Sequence, residues 1–273
     1  MLKCLPENLI SFVNKLVPVR RTLILFLLLI SFKQNFSQSL RGGDIQFTHL
    51  NGFTYSFSVE IYCNDSSVSS LIVSLGDGTN DTLENPGLTQ YAPVCYSQLS
   101  LGNHTYPGQG TYVASVTAHY LMDSITNIEN SVVQPLYLED SLRILDPAFF
   151  GYDNSPVLLN PLVDYASTEQ AYVYNPNAYD PDGDSLSFSL TPDFANGYSF
   201  PSATDSISIN KITGEFVWDK PIAKGNYAFA ILVTEFRSGV MIGTEYIVLM
   251  ITVDNFLGTN PIQAENSISI FPA

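Results

Sequence analysis

The stretch with the most evident chemistry runs from Asn175 to Leu190 and reads NPNAYDPDGDSLSFSL. Three carboxylates, Asp180, Asp182 and Asp184, alternate here with proline and glycine. Asp and Gly tolerate the backbone angles of a tight turn. Carboxylates that a turn holds close together suit calcium, which takes about six to eight oxygen ligands. The sequence therefore predicts either a calcium site or a plain structural turn at this place.

The residues after this turn predict the element that carries it. Leu186, Phe188 and Leu190 alternate with serines, which is the period-2 pattern of a strand with one buried face. An EF-hand is excluded, because the sixth and twelfth loop positions should be Gly and Glu but are Ser185 and Thr191. The carboxylates therefore belong to a turn that leads into a sheet.

The rest of the chain also consists of short β patterns. From Asp44 onward, alternating runs are separated by Gly, Asn, Asp and Pro, and no long stretch has a helical period. The predicted fold class is all-β, with two tandem immunoglobulin-like β-sandwiches after a signal peptide. The expected limits are 1–37 for the signal peptide, 38–139 for the first sandwich, 140–155 for a connector, 156–254 for the second sandwich, and 255–273 for a linker and the start of a truncated sorting domain.

The N-terminal segment has the three parts of a secretory signal. Lys15, Arg20 and Arg21 precede the apolar run TLILFLLLISF, and the small polar stretch NFSQS follows it. Because this run is too short to span a bilayer, we expect cleavage near Ser37 or Gln38. The expected destination is secretion, with attachment to the cell surface; an uncleaved membrane anchor is the alternative.

Charge narrows the range of partners. Removal of residues 1–37 leaves 6 basic and 25 acidic residues and a net charge of −19. The negative electrostatic field of this charge disfavours nucleic acid and anionic membrane surfaces as partners, and it attracts cations.

Two cysteines remain after Cys4 has left with the signal. Cys63 and Cys95 form an even pair in a chain bound for an oxidising compartment, so we expect a disulfide between them. Their spacing fits neither a zinc site nor a redox motif.

The first half carries two motifs in a recognisable order. The turn Gly76-Asp77-Gly78-Thr79 is followed by HTYPGQGTYVASVT, which begins at His104. This pair resembles the polycystic-kidney-disease (PKD) domain, an immunoglobulin-like sandwich common in bacterial surface proteins. Ser74-Leu75 departs from the aromatic-Asp-Phe run that usually precedes the turn.

Residues 150–254 resemble the bacterial cadherin-like domains, including their dystroglycan-type relatives. The likeness rests on the connector sequence Asp153-Asn154-Ser155-Pro156-Val157 and on Asp180-Pro181-Asp182 ahead of a strand. The Asp-Arg-Glu element of true cadherins is absent, so the resemblance implies one calcium ion rather than three. The ligands implied by the resemblance and by the turn are Asp153, Asn154, Glu169, Asp180, Asp182 and Asp184.

Two further features bear on function. The C-terminal SISIFPA resembles the opening of the sorting domain found on type IX secretion cargo of gliding bacteria; a frayed tail is the alternative. Trp218 shares a strand face with Phe216, which predicts a core position rather than an exposed platform for sugar stacking.

Catalytic motifs are absent from the sequence. It contains no HExxH, GxSxG, GxGxxG or P-loop, and its three histidines are scattered. Carboxylate pairs are defined by distance in space, so sequence does not identify them. We expect a non-catalytic secreted or cell-surface protein for adhesion or spacing, with calcium bound. Its expected partners are surface glycans or proteins and the secretion machinery, and no small-molecule substrate is expected. The alternative, supported by 16 Tyr and 17 Phe, is an accessory or catalytic portion of a secreted polysaccharide- or protein-degrading enzyme.

Overall fold

The computed structural model describes residues 39–64, 70–84, 87–92, 95–191, 195, 197–202 and 206–255. The predicted signal peptide lies outside the described residues, as does the predicted sorting tail beyond residue 255. In the part of the chain that is described, no helix has the length and apolar character needed to cross a membrane.

The first half of the described chain is built from eight strands. They are β1 (Leu40–Asn51), β2 (Thr54–Cys63), β3 (Leu71–Ser74), β4 (Asn80–Leu83), β5 (Thr89–Ala92), β6 (Cys95–Thr105), β7 (Gly110–Tyr120) and β8 (Pro135–Ile144). Ser131–Val133 forms a 3-10 turn, and α1 (Pro147–Phe150) is a single helical turn.

The second half adds nine strands. They are β9 (Val157–Leu158), β10 (Val163–Ser167), β11 (Tyr172–Tyr174), β12 (Ala178–Tyr179), β13 (Ser185–Thr191), β14 (Ile207–Ile209), β15 (Phe216–Trp218), β16 (Gly225–Arg237) and β17 (Val240–Asp254). The predicted all-β class is confirmed.

Strand β17 joins the two halves. The largest sheet has the order β4-β3-β7-β8-β17-β1-β2-β6-β5, and β10, β13 and β16 extend it through β17. Gly43 of β1 pairs with Val248, and Asp140 of β8 pairs with Glu245. Because β17 is long and apolar on both faces, it can pair with strands of both halves. The described residues form one compact unit, so the two predicted sandwiches share sheet structure.

The predicted connector, 140–155, starts too early. Its first residues belong to β8, which continues to Ile144 because Asp140 and Ser141 pair with β17. The remainder is not wholly extended. Asp146 caps α1 by accepting a hydrogen bond from Ala148 N at 3.0 Å, and Pro147 occupies the first turn, where its missing N–H costs nothing.

The core contains Trp218, as predicted. Trp218 and Phe216 are both fully buried, and the indole meets Tyr227 and Phe229 edge-on at centroid distances of 4.9 and 5.4 Å. A surface platform for sugar at Trp218 is therefore excluded.

The residues of the PKD-like motif have structural roles. His104 Nε2 lies 2.7 Å from Asp77 Oδ2, and Asp77 also accepts a hydrogen bond from Thr79 N at 3.0 Å. The buried Tyr106 hydroxyl donates to the carbonyl oxygen of Leu75 at 3.0 Å. These contacts close the turn that the sequence predicted.

Candidate metal centre

The 180–184 turn holds its carboxylates in fixed positions. Asp180 Oδ1 accepts hydrogen bonds from the backbone N–H groups of Asp182 and Asp184, at 2.8 and 2.9 Å. Gly183 adopts a φ of 85°, a conformation that a side chain would strain. Asp180 therefore caps the turn.

Asn154 fixes the connector to this turn. Its backbone N and Nδ2 donate to the Asp182 carboxylate at distances of 2.8 to 3.0 Å. Its own Oδ1 accepts a hydrogen bond from His49 N at 2.8 Å, so this oxygen is engaged with β1. Asn154 thus positions Asp182 and links it to the first half; its side-chain oxygen is not directed at the carboxylates.

Ser155 completes the attachment of the connector to β1 and β8. Its N–H donates to the carbonyl oxygen of Phe47 at 3.0 Å, and its hydroxyl accepts from Phe47 N at 2.9 Å. The same hydroxyl donates to Asp140 Oδ2 at 2.5 Å. Asp153, two residues earlier, is therefore held against the sheet.

Strand β16 contributes two residues that sequence reasoning missed, Glu235 and Arg237. Ser185 pairs with Phe236, which places the end of the carboxylate turn beside Arg237. Glu235 and Arg237 lie two residues apart and so share a face. Glu235 is 1% exposed. The sequence signal was a glutamate at an inward position of the apolar run AFAILVTEFR.

A bulge and a glycine make room for Glu235. The register of β16 and β17 shifts between Glu235 and Phe236, which leaves Ile242 as an extra residue in β17. A Cβ at Gly243 would lie 2.9 Å from Glu235 Oε2. The glycine therefore allows the buried carboxyl group to lie against β17.

Arg237 forms ion pairs with the carboxylates of Asp153 and Asp184. Its Nη2 donates to Asp153 Oδ1 at 2.8 Å and also to Asp184 Oδ2, while Nε lies 3.0 and 2.9 Å from the two Asp184 oxygens. Nη1 donates to the carbonyl oxygens of Phe150 and Tyr152 at 2.9 and 3.2 Å. The guanidinium therefore ties the connector to the turn.

One cation does not satisfy the whole cluster. Three buried oxygens accept no hydrogen bond from an N–H group or hydroxyl group in the described structure: Asp153 Oδ2, Asp180 Oδ2 and Glu235 Oε1. Here a protonated Glu235 can share its proton only with a neighbouring carboxylate, Asp153 or Asp180. One oxygen from each of Asp153, Asp184 and Glu235 lies within 4.8 Å of the others, and the same holds for Asp180, Asp182 and Asp184. We call Asp153, Asp180, Asp182, Asp184 and Glu235 the carboxylate cluster.

The pKa values reflect this excess of negative charge. Burial raises the pKa of Asp153 to about 7, although Arg237 acts in the opposite direction. Burial also raises the pKa of Glu235 to about 11, and the charges of Asp153 and Asp180 add to the rise. Hydrogen bonds to Asp184 are the main cause that raises the pKa of Arg237. Without a further cation, Glu235 is protonated at neutral pH.

These groups fit a hard divalent cation. Calcium binds oxygen at about 2.3–2.6 Å, so two of its ligands lie no more than about 5 Å apart. The 4.8 Å limit within each group of three carboxylates meets this condition. Asp153 and Glu235 are 3% and 1% exposed, so these carboxyl groups are inaccessible to a polymeric substrate. The arrangement suits ion binding better than acid–base catalysis.

Glu169 does not belong to the cluster. Its backbone N donates to the carbonyl oxygen of Pro221, and the preceding Thr168 N donates to that of Asp254. Asp254 ends β17, whereas the carboxylate cluster lies near Val240, where β17 begins. Parallel pairing of β10 with the far end of β17 therefore separates Glu169 from the other predicted ligands.

The predicted disulfide is not present in the structure, where Cys63 and Cys95 are both buried and unbridged. Cys63 pairs with Tyr96, and its Sγ lies 3.7 Å from the Tyr96 carbonyl oxygen. Cys95 is the neighbour of Tyr96, and adjacent residues of a strand point to opposite faces. Closing a disulfide would require the backbone to move.

Comparisons with known proteins assign this chain to no family. No family model matches the chain, and no curated protein matches it. Among solved structures, the N-terminal Ig1-2 module of the Drosophila receptor protein tyrosine phosphatase DLAR is 11% identical, covering 72% of this chain and 90% of that chain with a TM-score of 0.27. A chimeric titin Z1Z2-Z1Z2 tandem is 11% identical, covering 73% and 91% with a TM-score of 0.25. TM-scores this low support no inference about this chain.

Proposed function

We propose that this chain is a non-catalytic surface protein in which calcium, bound at the carboxylate cluster, locks the connector and the second half onto the first half for adhesion or spacing. The observation that carries the proposal is the set of buried carboxyl oxygens on Asp153, Asp180 and Glu235 that accept no hydrogen bond from an N–H group or hydroxyl group. A buried carboxylate that lacks a partner is costly, and a divalent cation removes that cost.

The origin of the ligands explains what calcium would stabilise. Asp153 comes from the connector, Asp184 from the turn before β13, and Glu235 from β16. Asn154 and Ser155 attach the same connector to β1. An ion held by Asp153, Asp184 and Glu235 would therefore connect three segments that are distant in sequence and fix their arrangement.

Arg237 has a complementary role in this proposal. It engages both oxygens of Asp184 and one of Asp153, so it neutralises one side of the cluster. The second oxygen of Asp153 stays available on the other side. Arg237 alone offsets one of the five carboxylate charges of the cluster, and Arg237 together with a divalent cation would offset three.

Thermal unfolding of the mature chain tests the proposal. Calcium at about 100 times its Kd stabilises the folded state by about 2.7 kcal/mol, which for a domain of this size raises Tm by about 5–10 °C. Asp153→Asn should abolish most of that rise, and the exposed Asp123→Asn should retain it. A wild-type Tm that is the same in millimolar calcium and in EDTA contradicts the calcium assignment.

Secretion and surface attachment are part of the same proposal. The signal-like segment and the SISIFPA tail support export by a sorting pathway, with the secretion machinery and surface glycans or proteins as partners. Antibody labelling of intact cells and of the culture medium tests this, because a protein found only inside the cell contradicts it.

A further inference from the structure

A second site of unusual composition lies between β1, β2 and the chain that leads into β10. A cavity of about 270 Å³ is lined by Asp44, Glu60 and Tyr62, and it adjoins another of about 290 Å³. The two cavities share Tyr91, Asn160 and Pro161. We call these adjoining cavities the tyrosine groove. It is separate from the carboxylate cluster, with which it shares none of its lining residues.

The strand register places two carboxyl groups side by side in this groove. Asp44 pairs directly with Glu60. Cβ atoms of residues paired in this way lie about 4.5–5.5 Å apart, and like charges there destabilise a sheet. Gln46 Nε2 donates to Asp44 Oδ2 at 2.8 Å, which holds that carboxylate in place. When both groups are charged, the juxtaposition is unfavourable. A positive group in the groove relieves it, as does a proton on Asp44, whose pKa burial raises to about 7.

The groove also has an aromatic wall. Tyr91 is 48% exposed, and its ring meets the buried Tyr62 ring edge-on at a centroid distance of 5.9 Å. Tyr62 lies two residues from Glu60, so both side chains project from the same face of β2. An exposed ring that lines the same cavity as two carboxyl groups suits a ligand that has both a flat face and a positive charge.

Three carboxyl groups, those of Asp44, Glu60 and Asp164, line the groove. Asn160 uses Nδ2 to donate to the Asn175 carbonyl oxygen at 2.7 Å, which leaves its Oδ1 as an acceptor. Asp164, in the second cavity, accepts a hydrogen bond from the Tyr172 hydroxyl at 2.7 Å. No lysine or arginine is among the described residues that line the two cavities. Donors such as hydroxyl and ammonium groups are therefore favoured, and anionic ligands are disfavoured.

We propose that the tyrosine groove binds a short saccharide that carries a free amino group. A sugar ring stacks on Tyr91, the ammonium lies between Glu60 and Asp44, and the hydroxyls donate to groups such as Asn160. A lone lysine side chain has no ring face for Tyr91 and does not fill two cavities. A bare metal ion fits worse, because Asp44 and Glu60 are not part of any group of three closely spaced ligands in the described residues.

Calorimetric titration of the mature chain with a glucosamine trisaccharide tests this proposal, in EDTA so that calcium plays no part. The expected Kd is about 1 mM or lower at about pH 6, where the amines are charged. Glu60→Gln and Tyr91→Ala should each weaken binding at least about tenfold, because a charged hydrogen bond or an aromatic contact is lost. Tyr137→Ala, at a tyrosine that is 39% exposed on β8 outside the groove, should leave Kd unchanged.

Three results would overturn the proposal. The first is absence of binding at about 10 mM trisaccharide, with NMR shift mapping on the unaltered chain as a check that needs no variant. The second is equal affinity for the fully N-acetylated trisaccharide, which has lost its positive charge. The third is equal affinity for tri-lysine, which has the charge but no sugar ring. Because EDTA is present throughout, these outcomes are independent of the calcium assignment.

Discussion

Glu235→Gln separates calcium binding from folding more sharply than any other change in the carboxylate cluster. Glu235 is buried, and its pKa is raised to about 11, so it is protonated at neutral pH when no metal is bound. Glutamine closely resembles a protonated glutamic acid in shape and hydrogen bonding. The variant should therefore fold in EDTA with an unfolding free energy within about 1 kcal/mol of the wild type.

The effect in calcium should be large. The glutamine amide oxygen carries no charge, and the charge of the ligands tunes calcium affinity over several decades. If Kd weakens by about 100-fold, calcium that stabilises the wild type by about 2.7 kcal/mol stabilises the variant by only about 0.4 kcal/mol. The difference, about 2.3 kcal/mol, corresponds to a loss of about 5–9 °C in the calcium-dependent rise of Tm.

Differential scanning fluorimetry in EDTA and in calcium measures both quantities on the same samples. Glu215→Gln, at an exposed glutamate, is the matched control and should respond to calcium as the wild type does. A Glu235→Gln variant that keeps the full calcium-dependent rise refutes the assignment of Glu235 as a ligand. A variant destabilised by several kcal/mol in EDTA refutes the assignment of its protonated state.

Three further predictions follow from the charges and the thiols. In EDTA, the pKa of Asp153 is about 7 in the folded chain, whereas its ordinary value is 3.8. The unfolding free energy should therefore fall by about 4 kcal/mol as the pH rises from about 4 to about 7. Asp44, whose pKa is also raised to about 7, should contribute a change of the same sign. Urea unfolding at a series of pH values measures this, and stability that rises with pH contradicts it. Arg237→Met removes the cation from Asp153 and Asp184, so the unfolding free energy should fall by about 3–5 kcal/mol in EDTA and recover in part in calcium. Equal stability of variant and wild type in EDTA argues against the ion pairs. Cys63 and Cys95 should react with a thiol reagent only after denaturation, because both are fully buried; two unreactive sulfurs in the denatured chain would reveal the disulfide.

The sequence predicted the parts of the site that follow one another along the chain. The 180–184 turn was recognisable from Asp, Pro and Gly. Local turn chemistry determines this feature, so the residues themselves reveal it. Asn154 was a candidate because of the resemblance to cadherin-like domains. The burial of Trp218 followed in the same way from its alternating neighbour.

Features that depend on strand pairing could not be predicted from the sequence. Arg237 meets Asp184 because β13 pairs with β16, and nothing in the intervening sequence states that register. The resemblance to cadherin-like domains implied Glu169 as a ligand, whereas parallel pairing of β10 with β17 carries it to the far end of the sheet. Likewise, the continuous apolar run of β17 does not reveal that it pairs with both β1 and β8.

A crystal structure of the mature chain grown in about 10 mM calcium tests the calcium assignment most directly. We expect an ion with anomalous signal at about 2.3–2.6 Å from oxygens of Asp153, Asp184 and Glu235. Density that shows only the Arg237 ion pairs, with water or nothing beside Glu235, contradicts the assignment and leaves Arg237 as the cation of this cluster.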